Sequence, residues 1–450
     1  MGLVLIFAVL LPAVASAAEK RIRGKGASAE SSKKKSAARA KKKADSKHDA
    51  DPGPADYHSK NFLIHTDLPA DEAWDLLKRL ETELSLISRY WGRANKQTIE
   101  CYVVKDLQNW SPRAFDPIGL LSVEREAGVT ITNGRSNGKE FFAKATVYAT
   151  SKRDTPMHEI VHAYCAQTFG TPGPVWYAEG MAEMGHFWQE DDNRSVNCDP
   201  YYIKYLRDSE PRPMLEIAKA DQVSGDSWQN YAWRWALCHL LANNTNYNDR
   251  FRPLGLGLLT QQRVSFEEVY GPKADEIAFE YLFFLQHLDR GYRVDLCSWD
   301  WKTKFVHPSG SAILNSKINS AGGWQASKLR VTEGEEYEYS AEGTWKSADD
   351  REATSADGAP DGRSRLVGTL FDNYKLQDSI ELGSFGTFTA KHDGNLVLRC
   401  RDAWHELADN TGFVKVKLKV KGVGKALEPP APAIVAKPSE ADTNSDQAVK

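Results

Sequence analysis

The sequence lacks the features that define several large protein classes. Its six cysteines (Cys101, Cys165, Cys198, Cys238, Cys297 and Cys400) are spread over 450 residues, and none forms a C-x-x-C pair. That spacing excludes a zinc ribbon and a thioredoxin-like redox motif, and it fixes no disulfide connectivity. Beyond residue 18 no apolar run approaches the ~18 residues a membrane-spanning helix needs, which excludes a multispanning membrane protein. Net charge is small, −3 from 58 Lys+Arg against 61 Asp+Glu. Mean hydropathy is −0.53 with 41% hydrophobic residues, too apolar for a wholly disordered chain. No internal repeat is visible. The length is that of two or three domains, each large enough to bury a core without disulfides.

The small net charge conceals an asymmetry. Residues 19–50 hold 12 Lys+Arg and 4 Asp+Glu, a net of +8, and residues 1–18 hold no charge, so the remainder carries −11. Residues 1–18 are an uncharged apolar run ending in Ala15-Ser16-Ala17, the small-x-small pattern of a cleavable export signal. The run has no Lys or Arg before its apolar stretch, and an uncleaved membrane anchor is the alternative. Either way the body is expected outside the cytoplasm: in the periplasm, at the cell surface or secreted. Residues 19–55 are Lys-, Ala-, Ser- and Asp-rich and end in Asp51-Pro52-Gly53-Pro54, the composition of a disordered linker. The clusters Lys33–Lys35 and Lys41–Lys43 have no interleaved aromatic residues for base stacking, so a solvated tether is expected rather than a specific nucleic-acid site.

Order is expected from about residue 56. A strand reads at 61–66, and apolar residues at Ala73, Leu77, Leu80, Leu84, Ile87 and Trp91 form one helical stripe. Strands follow at 99–104, 128–132 and 146–150, with helical segments near 157–168, 175–187, 228–242 and 274–289. This is an α+β pattern over 56–297. After Cys297 the texture changes to short β segments between Gly, Asp and Asn turns. Val414, Val416, Leu418 and Val420 alternate with Lys415, Lys417 and Lys419, a strand with one buried and one wet face. An all-β sandwich over 308–422 is expected, followed by a disordered tail over 423–450.

The sharpest motif is His158-Glu159-Ile160-Val161-His162. Thr155 suits an N-cap and Pro156 a first helical residue, which puts the motif in the first turns of a helix. Histidines four apart project from one face, about 6 Å apart, where two nitrogens can each reach one zinc ion at ~2.1 Å. Glu159, rotated by about 100°, can serve as general base without ligating the metal. A catalytic zinc commonly takes a third protein ligand. Glu179 and Glu183, again four apart on a second helical segment, both qualify by position. Tyr231 and His239 are candidates for stabilising an oxyanion, or members of a packed aromatic helix.

His158 to His162, followed by Pro174-x-Trp176-x-x-Glu179-Gly180-x-Ala182-Glu183, resembles the gluzincin metallopeptidases, in particular the bacterial peptidase MA-like group. It is more distantly similar to zinc aminopeptidases with a W-x-x-E-G-x-A pattern, although their Gly-rich exopeptidase motif is not visible. The resemblance covers about 57–295, with the motif match itself in 155–184. It implies a zincin-like catalytic domain, Glu179 as third zinc ligand and Glu183 as a supporting residue.

In the carboxy-terminal part, residues 402–412 offer several oxygen ligands in one loop, which fits either a calcium site or a hairpin turn. With Ala321-Gly322-Gly323-Trp324 and Ala341-Glu342-Gly343-Thr344-Trp345, the stretch from Asp402 to Asp409-Asn410-Thr411-Gly412 resembles calcium-dependent galactose-binding bacterial lectins of the PA-I type. That resemblance implies Ca2+ held by Asp402, Asp409 and Asn410, with backbone carbonyls near Ala348 and Glu406. Pro360-Asp361-Gly362 stands where sugar-contacting side chains are expected. The reading of the whole chain is an exported zinc metallopeptidase acting on a peptide or protein substrate, with a lectin-like module for a glycan or cell-surface polysaccharide. The alternative is a noncatalytic carbohydrate-binding or adhesion protein. A membrane association is expected only if the amino-terminal segment stays uncleaved.

Overall fold

The computed structural model describes residues 53–136, 141–219 and 227–431. The export signal, nearly all of the Lys-rich linker and residues 432–450 lie outside the described residues. No helix among those described is long and apolar enough to cross a membrane. The chain is a mixture of helices and sheets, and it packs as two compact units. One contains the residues through Ala178 with the short stretch 227–230, and the other contains Glu179–219 and Tyr231 onward.

The first unit is built on a five-stranded sheet. In chain order its elements are β1 (Ala55–His58), β2 (Phe62–Thr66), α1 (Ala70–Trp91), β3 (Ile99–Val104), α2 (Pro117–Glu124), β4 (Gly128–Ser136), β5 (Phe141–Thr150) and α3 (Thr155–Phe169). The sheet order is β1-β2-β3-β5-β4, with β2, β3 and β5 parallel and the outer strands β1 and β4 antiparallel to their neighbours. The apolar stripe of α1 is buried, as its spacing predicts, and the helix stops at Gly92, whose φ of 70° lets its N–H close on the Ser88 carbonyl. Helix α3 is buried at every position from Thr155 to Ala166; it packs on β3, β4 and β5 and against α1 beside it. Its start differs from the expectation. Asp154, not Thr155, occupies the cap position with φ 53°, and its carboxylate is bonded to Arg79 instead of capping the helix. Thr155 Oγ1 donates to the Lys152 carbonyl at 2.8 Å.

The second unit carries α4 (Val175–His186, which begins in the first), α5 (Pro200–Asp208), α6 (Met214–Ile217), α7 (Trp228–Asn243), α8 (Asn248–Leu259), α9 (Phe266–Tyr270), α10 (Ala274–Gln286) and α11 (Val294–Cys297). Helices α4 and α7 touch at Gly180, where a Cβ would lie 2.5 Å from Cys238 Sγ and 2.7 Å from the Arg234 carbonyl oxygen. Only glycine admits that approach. The strands follow as β6 (Leu314–Asn319), β7 (Gln325–Val331), β8 (Glu336–Lys346), β9 (Leu366–Asp372), β10 (Lys375–Leu376), β11 (Ile380–Glu381), β12 (Phe385–Thr389), β13 (Gly394–Cys400) and β14 (Thr411–Val420). Sheets β10-β9-β13-β7 and β12-β8-β14-β6 enclose a shared core that includes Leu329, Tyr337, Trp345, Leu366, Leu398 and Val416. In β14, Val414, Val416 and Leu418 are buried while Lys415 and Lys417 are exposed, as the alternation predicts. Lys419 departs from it. It is buried and donates to the Lys425 carbonyl at 2.6 Å, and the same segment is tied to β8 by Leu427 N–H on Glu338 Oε2 at 3.0 Å.

Within this unit the helices and the sandwich share an aromatic seam. Phe279 of α10 meets Phe371 at 5.1 Å between ring centroids, Trp299 meets Phe371 at 4.6 Å, and Phe283 meets Trp404 at 4.9 Å. Such edge and offset contacts add to the burial of the rings themselves. Beneath the seam, the buried Glu280 carboxylate accepts from five donors: Asn244 Nδ2, Asn246 Nδ2, Tyr247 Oη, the Trp299 N–H and Trp301 Nε1, at 2.5–3.0 Å. All six cysteines are buried and none is in a disulfide.

Candidate metal centre

His158 and His162 lie one turn apart on α3, 1% and 2% exposed, and their Nε2 atoms are 3.1 Å apart. Two nitrogens each ~2.1 Å from one ion at a tetrahedral angle are separated by roughly 3.4 Å, close to the observed distance, which is also that of a direct hydrogen bond between the two rings. Glu179 of α4 completes the set: ligand atoms of His158, His162 and Glu179 all lie within 4.8 Å of one another. Among the described residues no other group of three or more His, Cys, Asp or Glu side chains converges in this way. Two imidazoles and one carboxylate form a donor set suited to zinc, with a position left for a further ligand.

The two carboxylates of α4 separate in their surroundings. Glu179 joins the histidines. Glu183, 4% exposed, faces elements of its own unit, hydrogen-bonded with Tyr202 and 3.8 Å from His186 Nδ1.

Glu159 is fully buried and is held against the edge strand β4. Thr130 Oγ1 lies 2.8 Å from Glu159 Oε2 and 3.0 Å from the Glu159 carbonyl oxygen, and can donate to either. At Gly128 a Cβ would lie 2.7 Å from both Cγ and Oε1 of Glu159 and 2.6 Å from Thr155 Cγ2. The strand thus gives the carboxylate a bed with room for no side chain at Gly128, and a hydroxyl to orient one oxygen. Neither residue carries a sequence signal, because each is a small residue in a strand.

Tyr231 and His239 are both interior residues of α7. His239 stacks between Trp235 and Phe284, its Nε2 has no hydrogen-bond partner, and burial lowers its pKa to about 4. It is a member of the packed aromatic helix.

The carboxy-terminal ligand set is brought together only in part. Asp402 is buried and hydrogen-bonded with the Asn410 side chain, and burial raises its pKa. Asp402 Oδ2 and Asn410 Oδ1 are buried without a hydrogen-bond partner, the kind of oxygen that a cation satisfies. Asp409, by contrast, is exposed on a 3-10 turn. Arg363 Nη1 lies 3.3 Å from Asp402 Oδ1 and 2.7 Å from Glu406 Oε2, placing a fixed positive charge in the same loop cluster. The Ala348 carbonyl accepts the Arg351 N–H at 3.2 Å. Arg399, itself buried with its guanidinium 3.5 Å from the Trp404 ring centroid, holds the loop by donating to the Asp402 carbonyl.

No protein-family model matches the chain, and no curated protein matches it. Among solved structures it is similar to one described as "EclA N-terminal domain; PllA-like lectin", at a TM-score of 0.21 and 15% identity, over 24% of this chain and 96% of that one.

Proposed function

We propose that the chain is an exported zinc metallopeptidase. The observation that carries this reading is the convergence of His158, His162 and Glu179 beside the buried carboxylate of Glu159. His158 and His162 would hold the ion through Nε2, with one Glu179 oxygen as the third ligand. When bound, zinc supplies a Lewis acid for the scissile carbonyl and acidifies a water molecule. The remaining steps belong to the protein. Glu159 takes a proton from the attacking water and delivers it to the leaving amine. Thr130 keeps one Glu159 oxygen oriented through the exchange, and the packing at Gly128 fixes where the carboxylate stands. A zincin-like fold for the first part of the chain belongs to this same proposal. It is supported by the mixed sheet with its antiparallel edge strand β4 lying along α3.

For the sandwich we propose an accessory role, binding a glycan or cell-surface polysaccharide and holding Ca2+ through Asp402 and Asn410. The two buried oxygens without partners support the ion. Arg363 and the exposure of Asp409 make the set smaller than the lectin resemblance implies. A binding module on a hydrolase raises the local substrate concentration without adding a catalytic contact.

The test is hydrolysis of fluorescently quenched casein by the zinc-loaded full chain and its Glu159→Ala variant. The proposal expects turnover by the wild type, a loss of about 100- to 10,000-fold in the variant, and equal zinc content in both. No turnover by either protein would leave the noncatalytic binding reading in its place, and equal turnover by both would remove Glu159 as the base.

A further inference from the structure

Glu83 is a charged residue where the apolar stripe of α1 calls for a hydrophobic one. It follows Leu80 by three positions and precedes Ile87 by four, both in the core, and is itself 2% exposed. Neither of its carboxylate oxygens has a hydrogen-bond partner. Burial holds its pKa well above the ordinary carboxylate range, so as a mere packing residue it is inferior to leucine.

The register of α1 against α3 shows what it faces. The two helices run side by side in the same direction: Arg79, midway along α1, is bonded to Asp154 at the start of α3, and Trp91 at the end of α1 stacks on Tyr164 at 5.7 Å. Tyr164 Oη also donates to the Arg93 carbonyl at 2.6 Å. One turn beyond Arg79 is Glu83, and one turn beyond Asp154 is His158, each an advance of about 6 Å along its helix. The side chains that act electrostatically on Glu83 are His158 first, then Arg79 and Asp154. Because His158 turns Nε2 toward His162, its Nδ1 is the ring atom left to face away from the ion.

We propose that Glu83 is a positioning residue of the metal centre, its carboxyl standing on the side of His158 away from His162 and becoming the acceptor for Nδ1–H when Nε2 takes up an ion, which would fix the ring orientation. This rests on the metal reading of the site given above. Metal-bound histidines generally pass their second ring N–H to a carboxylate or carbonyl, which sets the tautomer and strengthens the ligand. Here that carboxylate comes from a helix more than seventy residues earlier in the chain.

The test uses the full chain as wild type, Glu83→Gln and Glu83→Met. Zinc affinity is measured by competition with a chromophoric chelator, and the visible spectrum is recorded after Co2+ substitution. The expected result for Glu83→Met is zinc binding weaker by about 10- to 100-fold and a changed Co2+ spectrum. Melting of the metal-free protein should be unchanged or raised, since a buried carboxyl has been removed. Glu83→Gln keeps the shape and an acceptor oxygen, so it should lie between the two, and it carries the comparison if the methionine variant does not fold. Wild-type affinity and an unchanged Co2+ spectrum in the variants would overturn the assignment while leaving the metal site standing. A wild-type protein that takes up no zinc would instead remove the metal reading, and this inference with it.

Discussion

Gly128→Ala is the smallest change that reaches the proposed general base without touching a metal ligand. The Gly128 backbone lies outside the left-handed region, so alanine meets no conformational penalty there. Its added methyl would sit 2.7 Å from Cγ and Oε1 of Glu159 and 2.6 Å from Thr155 Cγ2. Restoring an ordinary 3.4 Å contact from 2.7 Å requires Glu159 to move by about 0.7 Å, and a misplacement near 1 Å at a reacting centre costs on the order of 100-fold in rate. The strain on a tightly packed interior should lower stability by about 1–3 kcal/mol. The assay is casein hydrolysis by zinc-loaded protein, with metal content and urea unfolding measured alongside. The expected result is retained zinc, a modest loss of stability and a rate reduced by about two orders of magnitude. Adding Thr155→Ser removes the other contact, so it should recover stability more than rate. Turnover at the wild-type rate by Gly128→Ala would refute the placement of Glu159 against β4 as the working geometry.

Two further predictions concern the fold that carries the site. Glu280→Ala strips the common acceptor from five donors, and it should lower the unfolding free energy of the second unit by about 3–5 kcal/mol, read from urea denaturation followed by tryptophan fluorescence. An unchanged midpoint would contradict the network. His239, with a pKa lowered to about 4 by burial, stays neutral in the folded chain, whereas an unfolded chain protonates it near 6.5. Its contribution is therefore complete above pH 6.5 and is lost as the pH falls toward 4. That amounts to about 2 kcal/mol between pH 6.5 and pH 5. His239→Gln should flatten the stability profile over that window, and identical slopes in the two proteins would show that the imidazole is not the group responsible.

The sequence announced its long elements and its one compact motif. The stripe of α1, the run Ile99–Val104 and the alternation at Val414, Val416 and Leu418 were all legible, because periodic burial leaves a periodic pattern. The histidine pair and Glu179 were legible through spacing. Glu179 could not be separated from Glu183 by spacing alone, since both lie on one helix face four residues apart; their surroundings separate them. Short helices such as α2 and α5 escaped because eight or nine residues give too little periodicity to read. Thr130, Gly128 and Arg363 were invisible for another reason. Each acts through a neighbour distant in sequence, and nothing local marks a strand threonine that meets a helix carboxylate 29 residues later. Glu83 did leave a mark, a carboxylate set in an apolar stripe, whose meaning depends on the helix beside it. Asp409 shows the converse, a residue matching the lectin pattern that the fold turns outward.

The proposed three-ligand zinc site is checked by elemental mass spectrometry of the purified protein alongside His162→Ala and Glu179→Ala. About one tightly held zinc per wild-type chain is expected, with the metal lost or much weakened in both variants, because two remaining ligands do not hold a tetrahedral zinc site. No zinc in the wild type after reconstitution, or undiminished zinc in both variants, would contradict it.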